Sequence, residues 1–224
     1  MKNIFNKYMN DELKLDKKTK IAIFCFIVVF SGVFGFVYEF IFYFFNSGMK
    51  TFYYRGANFL PWINIYATGS ILIYILTKNL KKHPFFVFLI SALATGVLEY
   101  IAGYGMYRLD NGIRCWDYRN EILSFGNIDG FVCIRSVVIF GLSALLLMYV
   151  VIPVFIYLST KINKKLFFYV GVILCSIFLL DELYNLIFAN ILGTKRASQI
   201  YKKHGIPYMD YYKNEWKTKD NGLF

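Results

Sequence analysis

Groups that carry catalysis or hold metals are scarce in this chain. It has two histidines, His83 and His204, and both stand outside its apolar runs. That removes most serine, cysteine and zinc mechanisms, which need an imidazole as base or ligand. The four cysteines, Cys25, Cys115, Cys133 and Cys175, include no CxxC spacing, so neither a zinc site nor a disulfide framework is indicated. Cys115 and Cys133 read as two buried thiols, with a pair between them as the alternative. No GxxxxGK loop followed by Ser or Thr is present to cradle a nucleotide. No cofactor is expected. The chain does not read as an enzyme, because its buried acids come without a nucleophile motif.

Acidic residues are also few: 14 Asp and Glu stand against 25 Lys and Arg, a net charge of +11. No nucleic-acid motif accompanies this excess, so no nucleic-acid partner is expected. The positive residues lie in short loops and tails beside apolar runs, where anionic headgroups and the positive-inside rule account for them. A cleavable signal peptide is not expected, since the first apolar run is too long for one and no small-x-small site follows it. No internal repeat is visible.

What abounds is apolar and aromatic, at 58% and 21% of residues, extreme for a soluble fold. Five runs hold most of it: Ile21 to Phe45, Pro61 to Thr77, Phe85 to Leu109, Ile128 to Leu158 and Leu166 to Leu192. A helix needs about 20 apolar residues to cross a bilayer core, and each run is near or above that. The expected fold is all-α, a polytopic membrane helix bundle over residues 21–192 with about five transmembrane helices and short loops. Its main partner is then the lipid bilayer. Residues 1–20 form a basic amphipathic segment, with Ile4, Phe5, Tyr8 and Met9 on one face. This segment either lies in the headgroup plane or frays as a lysine-rich tail. Residues 193–224 form a basic aromatic tail.

Charged side chains interrupt the runs at Glu39, Glu99, Arg135, Asp181 and Glu182. A charge at a helix centre costs on the order of 2.5–3.5 kcal/mol on insertion scales, so such groups pair or line a cavity. Ser31, Gly35 and Glu39 fall at i, i+4, i+8, and so do Ser91, Thr95 and Glu99 with Gly103 beyond. Small residues let helices approach closely in lipid. Both glutamates are therefore expected inside the bundle, as helix-to-helix hydrogen bonders or as part of a solute or ion path. At a rise of about 1.5 Å per residue, Glu39 and Arg135 lie roughly 9–10 Å from the same surface, and Glu99 and Asp181 roughly 15–16 Å. Arg135 is expected to bind Glu39 or Glu99 through its fork. The surplus acids must be protonated, hydrated or cation-bound. Asp181 and Asn185, at i and i+4, can also share one hydrogen bond. The loop aromatics read as an interfacial belt, or, at Trp116-Asp117-Tyr118, as a lid over the polar cluster.

The loops from Lys78 to Pro84 and from Ser159 to Lys165 hold lysines and no acid, and the N-terminal segment holds six lysines. That side is expected in the cytoplasm. Five spans would leave the basic tail on the other side. A re-entrant fifth run, turning at Asp181 and Glu182, would return it.

The stretch from Arg55 to Gly69, with Gly35 and Glu39 before it, carries a resemblance. It continues through Glu99-Tyr100, Trp116-Asp117-Tyr118, Asn127, Gly130, Cys133, Arg135 and Gly141. Over roughly Gly35 to Pro153, with a weaker extension to Asp181, the chain resembles the Putative ABC-transporter type IV family of bacterial multi-pass membrane proteins. The resemblance implies a permease-like subunit in a bacterial plasma membrane, with ATP supplied by a separate ATPase or other membrane partner, and the lysine distribution puts its N-terminus in the cytoplasm. It also marks Arg55, Trp116, Asp117 and Tyr118 as a loop motif. The chain departs from the family's pattern at Tyr54, Leu60, Asn64, Tyr107 and Phe131. The last two replace an acid and an arginine, as though an ion pair had been removed. A transporter subunit is thus expected, with a membrane scaffold or sensor, its polar cluster structural, as the alternative.

Overall fold

The computed structural model describes residues 1–206 except 47, 50, 51, 53, 57, 110–113, 115, 189–191 and 193–195. The question of a Cys115 pair lies outside these residues, as do Tyr53, Lys195 and the tail lysines Lys213, Lys217 and Lys219. In chain order the helices are α1 (Lys2–Met9), α2 (Lys17–Asn46), α3 (Asn64–Thr77), α4 (Pro84–Leu109), α5 (Ile134–Leu146), α6 (Ile152–Lys161), α7 (Lys164–Leu183) and α8 (Ala197–Lys203). A π-helical stretch, Leu147–Val151, joins α5 and α6 into one rod. Pro153 explains it: proline has no N–H and its ring crowds the carbonyl one turn back, so the hydrogen-bond ladder shifts register there.

Four helices are long and apolar enough to cross a membrane: Lys17–Asn46, Pro84–Arg108, Ile134–Lys161 and Lys164–Leu183. The second apolar run behaves differently. Only 14 of its residues are helical, about 21 Å of rise against a core of about 30 Å. The Ile63 amide donates to the Gly32 carbonyl at 3.0 Å, and Gly32 sits near the middle of α2. Non-helical chain from Asn58 to Ile63 therefore runs alongside the C-terminal half of α2, and α3 completes the crossing. The bundle has five crossing segments, one of them half irregular.

The packing is inside-out relative to a soluble protein. On α4, Leu93, Val97 and Ile101 are 61, 59 and 62% exposed, while Ser91, Thr95 and Glu99 on the opposite face are 0, 1 and 4% exposed. Small residues set the helix spacing, as the sequence suggested. A Cβ at Gly35 would overlap the Tyr66 ring, and one at Gly141 would reach within 2.6 Å of Phe88. α2 packs on both α3 and α7, and α4 on both α3 and α5.

The N-terminus and both short basic loops share one face. Lys81 donates to Asp11, Tyr149 Oη donates to the Lys81 carbonyl at 2.7 Å, and Lys164 lies 3.8 Å from Asp16. α1 is helical and docked on the bundle: Tyr8 is buried, and α1 packs on α6. At the opposite face the fifth run does not turn back. It continues helical through Phe188, and the Ala197 amide then donates to Asn185 Oδ1 at 2.9 Å. Tyr201 bonds the Phe59 carbonyl. The tail thus stays on the far face as far as α8.

Candidate functional site: a buried chamber of acids and arginines

Helix α2 brings Glu39 and Tyr43 inward, α4 brings Glu99, and α5 brings Arg135. The two loops of the far face bring Arg55, Trp116, Tyr118 and Glu121. All of these except Arg55, which reaches it through Glu39, line a cavity of about 30 Å³ together with Tyr38, Tyr66 and Phe140, which holds about one water. Arg55 Nε donates to Glu39 Oε2 at 2.8 Å, with its guanidinium 3.9 Å above the Tyr43 ring. Arg135 Nη2 donates to Glu121 Oε2 at 2.6 Å, and Nη1 to the Ile122 carbonyl at 2.6 Å. Its guanidinium lies over Phe42 at 4.0 Å and Tyr118 at 5.1 Å. Tyr43 donates to the other oxygen of Glu121, which links the two pairs. Tyr118 donates to Glu99 Oε1. Glu99 Oε2 is buried with no hydrogen-bond partner among the described residues.

The partners of Arg135 differ from the expected ones. Its partner is Glu121, while Glu39 takes Arg55. Depth along a helix located Arg135 and Glu39 at one level but said nothing of acids delivered by a loop. Glu121 was not among the expected site residues, and its side chain is 0% exposed. No local pattern in the sequence marks such burial.

The long loop folds inward and is held there. Trp116 Nε1 donates to the Phe131 carbonyl at 2.8 Å, and the Tyr118 amide to the Gly130 carbonyl at 3.0 Å. Asp117 is fully buried and accepts from the Arg119 amide at 2.9 Å and from Arg119 Nε at 3.2 Å. Burial raises the Asp117 carboxyl above its ordinary value, with the Arg119 hydrogen bond opposing. Burial, then the Glu99 carboxyl, pushes the Tyr118 hydroxyl well above its ordinary range, so Tyr118 is a proton donor at neutral pH. Gly130 has φ of +73°, and a Cβ there would overlap Asp117 Oδ1, which ties the glycine to the Asp117 turn. At the two positions where the resemblance implied a lost ion pair, the Tyr107 and Phe131 rings touch with centroids 5.9 Å apart. The Arg114 guanidinium covers both, at 4.8 and 4.2 Å.

Asp181 and Glu182 stand apart from this chamber and hold the irregular segment. The Phe59 and Leu60 amides donate to Asp181 Oδ1 and Oδ2, each at 2.9 Å. Asn58 Nδ2 and Asn64 Nδ2 donate to the two oxygens of Glu182 at 2.5 and 2.9 Å. Asn185 does reach Asp181, at 2.9 Å. Backbone amides inside a bilayer must be satisfied by protein, and these two acids do that for a segment with no helix of its own. Among the described residues no group of three or more His, Cys, Asp or Glu could hold a metal ion.

Comparison with curated proteins and with solved structures returned no match. A family model described as Putative ABC-transporter type IV matches residues 24–186. That range runs from within α2 through α7 and includes the irregular segment, the chamber and the Asp181 and Glu182 anchors, so the resemblance carried by the Arg55 and Trp116 motifs extends across the bundle. The chain is a transporter-like membrane protein and belongs to the Putative ABC-transporter type IV family.

Proposed function

We propose that the chain is a permease-like subunit of a transport system, with the chamber on the path of a polar or cationic solute and a separate ATPase supplying energy. One observation carries this reading. The chamber gathers three carboxyls, Glu39, Glu99 and Glu121, against two guanidinium groups, and Glu99 keeps one buried oxygen without a partner. A buried acceptor left over after the protein has made its own pairs has capacity for a proton or a cation. The basic loop from Lys78 to Pro84, at the other face, offers the ATPase a contact. The alternative, a scaffold or sensor, draws support from the neighbouring acids: Glu39, Glu121, Asp181 and Glu182 each have a partner within the protein.

Affinity purification of the tagged chain from its native membrane separates the two. The transport reading expects an ATPase to co-purify and its ATP hydrolysis to change when reconstituted with this subunit. Glu99→Gln should then remove the effect while the thermal melt stays near wild type. Hydrogen bonds between membrane helices average about 0.6 kcal/mol, and Gln keeps the Tyr118 bond. Recovery of the chain with no ATPase, or full activity from folded Glu99→Gln, favours the scaffold reading.

A further inference from the structure

A second cavity, of about 480 Å³, lies at the N-terminal face between α1, α2, α3 and α6. Its size is that of a ligand site, commonly about 300–1,000 Å³, whereas the chamber holds one water. Its walls and its mouth differ in chemistry. Ile23, Ile27, Ile152 and Ile156 make an apolar wall, and Lys20, Lys81 and Asp11 stand at the rim. From Lys20 to Ile27 is seven residues of α2, about 10 Å of rise. The cavity therefore reaches from headgroup level well into one leaflet, whose apolar half is about 15 Å thick. Ile21 and Phe24, on its rim, are 40 and 39% exposed, which gives a side entrance from lipid.

The polar groups at the rim are not all used. Tyr8 is 8% exposed and lines the cavity, while its hydroxyl is turned away from it, buried and without a hydrogen-bond partner among the described residues. Burial pushes that hydroxyl above its ordinary value, which keeps it a donor. Lys81 is buried, stacked 4.5 Å over the Tyr8 ring and bonded to Asp11. Lys20 is exposed. Two lysines against one aspartate leave the rim net positive, and basic pockets between membrane helices on such a face suit anionic headgroups.

We infer that this cavity is a binding site for one anionic glycerophospholipid of the surrounding leaflet, with an acyl chain against the isoleucine wall and the phosphate at Lys20. The inference is independent of the transport reading, since no residue of the chamber takes part. The α1 segment becomes the lid of a lipid site, which gives its docking against the bundle a purpose beyond packing.

The full-length chain in detergent, titrated with phosphatidylglycerol and phosphatidylcholine and read by native mass spectrometry, tests it. One phosphatidylglycerol should bind per chain ahead of phosphatidylcholine, and inorganic phosphate should not displace it. Lys20→Glu should lower the preference by about fivefold or more, the weight of a lysine at an anionic surface. Ile152→Trp, which puts an indole into the apolar wall where the acyl chain would lie, should weaken the first binding event. Equal binding of the two lipids, displacement by phosphate, or an unchanged preference in Lys20→Glu overturns the inference. Lys20 is exposed, so that variant decides the matter even where Ile152→Trp does not fold.

Discussion

The arginines show how single side chains are tolerated inside this bundle. Each guanidinium has a carboxylate on one edge and an aromatic face beneath, Glu39 and Tyr43 for Arg55, Glu121 and Phe42 for Arg135. Taking one member from a buried pair strands the other, which costs about 3–5 kcal/mol. Arg135→Ala should therefore lower stability by about that amount. The double variant Arg135→Leu with Glu121→Leu should recover part of the loss, because neither charge is then stranded. Thermal unfolding in detergent measures both. Equal stability of the single variant and wild type would show that water reaches the pair. Arg135 was legible from sequence as a charge needing a partner. Which acid it takes was not, because Glu121 lies in a loop whose path depends on contacts such as Trp116 to Phe131.

Among elements, the irregular segment from Asn58 to Ile63 depends on α7. Asp181 accepts from two of its amides, and each buried amide left unsatisfied costs about 1–3 kcal/mol. Asp181→Ala should cost about 2–6 kcal/mol and Asp181→Asn about half of that, since the amide keeps one acceptor. Denaturation of the two variants orders them, and an Asn variant as weak as the Ala variant would mean that charge matters more than acceptor count. At the other face, α1 docks through Asp11. The Lys81 hydrogen bond holds Asp11 below the usual carboxylate range, and Lys82 adds to this. A depressed folded value contributes stability that is complete above the ordinary value of about 4 and is lost as pH falls through the folded one. A spin label at Asn6 should accordingly stay immobile near neutrality and loosen only as pH drops below about 4. Mobility unchanged down to about pH 2 would assign the docking to Tyr8 and the apolar contacts alone.

The whole molecule has two unlike ends. One gathers the N-terminus, the short basic loops and the large apolar cavity. The other gathers the irregular segment, the long loop, the chamber and α8. Single cysteines at Asn79 and Ser124 should therefore label from opposite sides of a sealed membrane, and a third at His204 should share the side of Ser124. Impermeant maleimide on intact cells and on inverted vesicles reads this directly. His204 labelling together with Asn79 would put a further crossing after α7. Lysine plus arginine, counted over loops and tails, comes to 12 on each side and leaves the tail's side open. The Asn185 to Ala197 and Tyr201 to Phe59 bonds hold α8 at the face of the long loop.

Composition and periodicity by themselves determined the all-α membrane bundle, the position of its long helices and the inward face of α4. Those are properties of consecutive residues: about 20 apolar positions for a span, and four-residue spacing for the Ser91, Thr95, Glu99 stripe. They also determined which side chains are too costly to leave unpaired. Tertiary structure decided the rest. It set an irregular segment before the second run, turned Asp181 and Glu182 into backbone anchors, and delivered Glu121 from a loop into the chamber and Arg55 to Glu39 beside it. Hydropathy measures what a segment would do against lipid. A loop residue's burial and a carboxylate's partner are set by chain far away in sequence, as with Phe59 and Asp181, 122 positions apart.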